Sequence, residues 1–187
     1  MKPLLIAIAL LFIACSADAA EQPADHLYFA GESADSPHIV FIAGDGEYRS
    51  EEALPMLAQL MARSGFRCTV LFSMGRRDDR FVDPGNLCSL SNLAALDSAD
   101  AIVLATRFRL WPDEIMARFV AAFERGVAIV GLRTSQLAFH YREDSPWRKY
   151  SWKNGHRVHW KHNPDEGWQY GFGGEVLGDR WIGQRQT

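Results

Sequence analysis

The chain has 187 residues, 48% hydrophobic and 23% charged, a balance that suits one globular domain and excludes a chain disordered throughout. Its 20 Lys and Arg against 23 Asp and Glu leave a formal charge of -3, so there is no basic surplus for a nucleic-acid partner. The cysteines, Cys15, Cys68 and Cys88, are too few for a disulfide framework and lack the paired spacing of a zinc or haem-attachment motif.

Lys2 and the apolar run Leu4 to Ala14 read as the n-region and h-region of a signal peptide, with Ala17-Asp18-Ala19 as its A-x-A cleavage signal. The run breaks at Ser16 and Asp18, well short of the ~20 apolar residues that span a membrane. Residues 1–19 are therefore expected to be removed, giving a secreted or periplasmic protein. Phe12-Ile13-Ala14-Cys15 is close to a lipobox, and lipidation at Cys15 is the one route by which a membrane would become a partner. Residues 20–37, rich in Ala, Asp, Ser, Gly and Pro, read as a linker or loosely packed arm, and residues 38–187 as the domain.

His38 to Ala43 is a continuous apolar run ending at Gly44, the pattern of a strand buried on both faces. A turn, Gly44-Asp45-Gly46-Glu47-Tyr48-Arg49, leads to a helix with Leu54, Leu57, Ala58 and Met61 on one stripe. Ser50 is its candidate cap, and Pro55 predicts a true start near its own turn. Phe66 to Phe72 is a second strand after Gly65; Cys68 within it reads as a small buried hydrophobe, although an exported protein would also permit a Cys68–Cys88 bridge. Leu87, Leu90, Leu93 and Leu96 predict only a short helical piece. Ala101 to Thr106 is the third strand. Pro112 opens a helix with Asp113 and Glu114 in its first turn and Ile115, Met116, Phe119, Val120 and Phe123 on its core stripe. Val127 to Leu132 is the fourth buried strand. Apolar strands alternating with amphipathic helices predict an α/β fold, a three-layer flavodoxin-like parallel sheet with helices on both faces.

Ligands of such sheets bind outside the carboxyl ends of the strands. The residues there are Asp45, Glu47, Tyr48 and Arg49 after the first strand, Thr106, Arg107 and Arg109 after the third, and Arg133 and Thr134 after the fourth. Arginine suits bidentate recognition of carboxylate, phosphate or a vicinal diol, so the expected partner is an anionic or sugar-like small molecule. Asp45 and Glu47 are the catalytic candidates, more readily as bases than as acids beside so much positive charge. Pairing of these acids and arginines into a purely structural network is the alternative.

The string Val40 to Pro55, with Thr106-Arg107-Phe108-Arg109, Pro112-Asp113-Glu114 and Gly131-Leu132-Arg133-Thr134, resembles a secreted bacterial branch of the ThuA-like (trehalose-utilisation-like) family. The resemblance implies a class I glutamine-amidotransferase-like fold and a sugar-related role. It does not imply amidotransferase chemistry: where those enzymes carry Gly-x-Cys-x-Gly, this chain has Gly131-Leu132-Arg133-Thr134-Ser135, with Arg133 at the nucleophile position. Thr134 or Ser135 with His140 as base would be the substitute, and no third partner is evident. The resemblance also implies further strands and a closing helix after Gly173-Gly174-Glu175-Val176-Leu177-Gly178. The chain ends instead at Thr187, so a partial domain is expected.

Trp147, Trp152, Trp160, Trp168 and Trp181 all follow Tyr141. Such rings would either wall a carbohydrate site or pack as core. His156, His159 and His162 are the only metal-ligand cluster to weigh. Their i, i+3, i+6 spacing lacks the one-face logic of an H-E-x-x-H pair, so a solvated loop is expected, with no metal and no cofactor.

Overall fold

In the computed structural model the described residues are 25–154, 167–179 and 181. The signal segment, Cys15 and the cluster His156, His159 and His162 lie outside them, as does Trp160. Among the described residues no helix is long and apolar enough to cross a membrane.

The chain forms a mixed α/β fold around a five-stranded sheet. In chain order the strands are β1 (His26–Phe29), β2 (His38–Gly44), β3 (Arg67–Phe72), β4 (Ala101–Thr106) and β5 (Ala128–Gly131). They lie in the order β1-β3-β2-β4-β5. β2 is parallel to β3 and β4, β4 is parallel to β5, and β1 alone is antiparallel, against β3. The helices are α1 (Ser50–Arg63), α2 (Asp113–Glu124) and the single turn α3 (Phe172–Glu175), with 3-10 turns at Leu93–Ser98, Arg133–Leu137 and Arg148–Tyr150.

Alternation along the inner strands sorts their side chains between two cores. Ile39, Phe41 and Ala43 of β2 join Cys68 and Val70 of β3 under Leu54 and Ala58 of α1. Val40 and Ile42 face the other way, with Ile102 and Leu104 of β4, and meet Met116, Phe119 and Val120 of α2 together with Trp111 and Phe139. Continuous apolar runs are what a strand covered on both faces requires, and β2 is buried at every position.

Several sequence expectations change. His26–Phe29, read as part of an arm, is the antiparallel edge strand β1, pairing Tyr28 with Thr69; a stretch too short to show periodicity is recruited by the free edge of β3. α1 begins at Ser50, a full turn before Pro55, which forgoes only the bond that its missing N–H would make to Glu51. Ser50 does not cap it: Arg49 holds the cap position at φ 50°, and the Ser50 hydroxyl accepts from the Asp45 N–H at 2.9 Å. Pro112 stands just outside α2, where its carbonyl accepts from Met116 N–H at 3.0 Å.

The last change concerns β5. It is an edge strand, largely exposed, with Val130 50% accessible, because among the described residues it has β4 on one side and no strand on the other.

Candidate functional site

Order along the sheet decides where its carboxyl edge can open. The chain leaves β2 toward β3 on one side, while β4 and β5 lie on the other, so the loops after β2 and β4 diverge and leave a crevice between them. A cavity of about 440 Å³ lies there, lined by Glu47 and Tyr48 after β2, Arg107 and Phe108 after β4, Thr134, Gln136 and Leu137 after β5, and Trp152 and Trp181.

Its floor is a hydrogen-bonded turn. Asp45 is 1% exposed. Its carboxylate accepts from the Glu47 N–H at 2.9 Å and from the Thr134 hydroxyl, so the loops after β2 and β5 are locked together. Gly44 permits a close approach to the end of β4: a Cβ there would stand 3.2 Å from the Thr106 methyl and 3.3 Å from the Arg109 side chain. After β5 the chain turns sharply, with Arg133 at φ 55° leading into the 3-10 turn that carries Thr134 and Gln136.

One wall is aromatic. The strand-like stretch after β4 runs beside residues 137–140, joined by Phe108 N–H to Leu137 O at 2.9 Å and His140 N–H to Arg109 O at 3.0 Å, while Trp152 N–H donates to Phe139 O at 3.0 Å. This backbone mesh gathers Phe108, His140 and Trp152, whose ring centroids lie 5.4 to 5.9 Å apart. Trp181 meets Trp152 edge-on at 5.5 Å.

The opposite side is charged. Arg107 donates through Nη1 to Glu47 Oε1 at 2.5 Å, and its guanidinium lies 4.3 Å from the Phe108 ring centre. Its Nε is buried and finds no hydrogen-bond partner among the described residues. Arg133 lies over the Tyr48 ring, 4.9 Å from its centre, and so stands next to a residue that lines the cavity.

Of the candidates read from the sequence, Glu47, Tyr48, Arg107 and Thr134 meet at this cavity, Arg133 flanks it, and Asp45 lies beneath it as an anchor. Three do not belong there. Arg109 is 1% exposed and spends its guanidinium on Arg107 O, Ser73 Oγ, Asn86 O and Pro84 O; burial draws its pKa down to about 10, against the pull of the Asp45 charge. Arg49 points to solvent and pairs with Glu52, one turn along α1. Thr106 is fully buried, and its Oγ1 has no partner among the described residues.

The nucleophile candidates are engaged elsewhere. Ser135 is buried, donating to the Leu104 and Leu132 carbonyls, each at 2.7 Å. The Thr134 hydroxyl is held by Asp45. Cys68 and Cys88 are free thiols away from the cavity, and burial pushes the Cys68 thiol up to about 11. Among the described residues no three His, Cys, Asp or Glu side chains are placed to hold a metal ion.

Phe108, Gln136 and Leu137 were not among the sequence candidates. Phe108 stands between two arginines that were, and Gln136 and Leu137 follow Thr134 by two and three residues on the same turn. The tryptophans divide: Trp152 and Trp181 line the cavity, whereas Trp147 and Trp168 pack against the α2-side core beside Tyr150. No family model, no curated protein and no solved structure matches the chain.

Proposed function

We propose that this is an exported protein with a ThuA-like domain, flavodoxin-like in its three layers, that binds a carbohydrate or related polyhydroxy or anionic small molecule at the carboxyl ends of its parallel strands. The observation that carries this reading is the composition of the cavity: two tryptophans and a phenylalanine together with an arginine, a carboxylate, a hydroxyl and an amide. Flat rings cover the apolar faces of a sugar, and convergent polar groups fix its hydroxyls. A volume of about 440 Å³ sits at the small-molecule end of ligand cavities, which run from about 300 to 1,000 Å³. The order β3-β2-β4-β5 of the parallel strands is the doubly wound order in which ligands settle at the point of divergence, and it supports the flavodoxin-like layering.

Binding without turnover is favoured over catalysis by one set of contacts. Ser135, Thr134, Cys68 and Cys88 are engaged or distant, and Arg133 occupies the sharp turn where amidotransferases carry their cysteine. Glutamine amidotransferase chemistry is therefore not proposed. Glu47 is the carboxylate that lines the cavity among the described residues, and it is held by Arg107.

Thermal denaturation against a panel of neutral sugars, sugar acids and inorganic phosphate tests the reading. A ligand at a hundred times its Kd stabilises by about 2.7 kcal/mol, a shift of several degrees for a domain of this size. The expected result is such a shift from at least one sugar, lost in Trp152→Ala, with the ligand recovered unchanged by NMR. Conversion of the ligand would establish an enzyme with Glu47 as the base candidate. No shift from any panel member would overturn the sugar-binding proposal.

A further inference from the structure

We infer that the ligand is a sugar carrying a carboxylate, a uronic or aldonic acid, and that Glu47 occupies on Arg107 the place which the ligand's carboxylate takes. This rests on the sugar-binding reading above and narrows it. The guanidinium of Arg107 is unusually well prepared for one planar anion. The guanidinium carbon lies over the Phe108 ring, 4.3 Å from the ring centre, the Arg107 side chain is only 28% exposed, and it lines the cavity together with Phe108, Trp152 and Trp181. A ring beneath the guanidinium and its partial burial restrict its movement, which favours bidentate carboxylate recognition by the fork of N–H donors.

Glu47 does not exploit that fork. It touches Arg107 through one oxygen, its side chain is 51% exposed, and no other hydrogen bond holds its carboxylate among the described residues. The backbone of Glu47 is by contrast fixed, because its N–H is bound to Asp45. The side chain can therefore swing away while the loop stays in place. A half-exposed ion pair of this kind is worth no more than about fivefold in an equilibrium constant. A ligand carboxylate delivered alongside a stacked ring, with both oxygens on the fork, gains more than this and displaces Glu47 outward.

Carboxylate is favoured over phosphate by charge. Arg107 is the single cationic side chain lining the cavity among the described residues, and its present partner is a monoanion of the same shape as the one proposed. A phosphate ester, carrying nearly two charges and three acceptor oxygens, calls for more donors than one guanidinium.

Isothermal titration of the full chain with galacturonate and glucuronate, the parent galactose and glucose, glucose 6-phosphate and inorganic phosphate tests this. A uronate is expected to bind at least tenfold more tightly than its parent sugar. Glu47→Gln removes the competing charge, so it tightens the uronate by about threefold to fivefold and widens the preference for the uronate over its parent sugar. Arg107→Gln abolishes the preference for the acid, and Arg107→Lys, which keeps the charge but not the fork, restores only part of it.

Equal binding of uronate and parent sugar overturns the carboxylate assignment and leaves the sugar-binding reading standing. The same assignment falls if glucose 6-phosphate binds more tightly than the uronates, or if Glu47→Gln weakens the uronate. Absence of binding by every sugar overturns both.

Discussion

A guanidinium with its surroundings removed shows how much it was holding. Arg109 satisfies three main-chain carbonyls and one hydroxyl from a position 1% exposed, and ties the loop containing Pro84 and Asn86 to the stretch after β4. Arg109→Ala leaves these acceptors buried and unpaired and should lower stability by about 3 to 5 kcal/mol in urea denaturation, far beyond a surface arginine. Arg133 works by backbone shape instead. At φ 55° it sits where a side chain costs about 1 to 2 kcal/mol, so Arg133→Gly should stay close to the native stability, the relief offsetting its lost contact with Tyr48. Arg133→Val, β-branched at the same angle, should lose more than 1 kcal/mol in the same measurement. The sequence offered all four strand-end arginines as one rim, and only Arg107 lines the cavity. Position after a strand places a Cα; which way a long, flexible stem then runs is decided by the acceptors it meets, and those come from Ser73, Pro84 and Asn86, far away in the chain.

At the scale of elements, legibility followed periodicity. β2, β3, β4 and α2 stand where the apolar runs and stripes put them, because each pattern is long enough to specify one buried face or two. Residues 26–29 and the start of α1 depart from the sequence expectation because neither carries a repeat: the first is set by an open sheet edge, the second by a loop folded over Asp45. α3 is also placed by contact. A Cβ on Gly173 would stand 2.6 Å from the Gln136 carbonyl oxygen and 2.6 Å from that of Asp179. Backbone cannot yield as a side-chain tip can, so Gly173→Ala should cost about 1 to 3 kcal/mol and push the turn that carries Gln136. The expected readout is twofold: a lower denaturation midpoint and a smaller sugar-induced thermal shift than in the native chain.

Across the molecule, the sheet separates a binding edge from a bracing edge. At the carboxyl ends, loops diverge and leave the cavity; at the amino ends of β2 and β3 and the turn before β4, one histidine draws the chain together. His38 N–H donates to Asp100 Oδ2 at 2.7 Å, its Nδ1 lies 3.2 Å from the Ser98 carbonyl, and its Nε2 lies 2.8 Å from the Thr69 hydroxyl. The Ser98 hydroxyl also lies 3.0 Å from Nδ1; a carbonyl only accepts, so the contact with Ser98 O is a hydrogen bond in the tautomer that carries its proton on Nδ1, and there Nε2 accepts from Thr69. Burial holds the His38 pKa below its ordinary value, with the Arg67 charge adding to this and the Ser98 carbonyl and Asp100 opposing it. The unfolded chain then binds a proton near pH 6.5 that the folded chain refuses until lower pH. The contribution of neutral His38 is therefore intact above about pH 6.5 and lost as pH falls toward the depressed folded value, with a slope of up to about 1.4 kcal/mol per pH unit between the two. Urea denaturation at steps from pH 7.5 to 5 should show this loss in the native chain, and His38→Asn, which cannot titrate, should flatten it whatever its absolute stability. Equal slopes in the two proteins would mean that His38 takes up its proton without disturbing the brace.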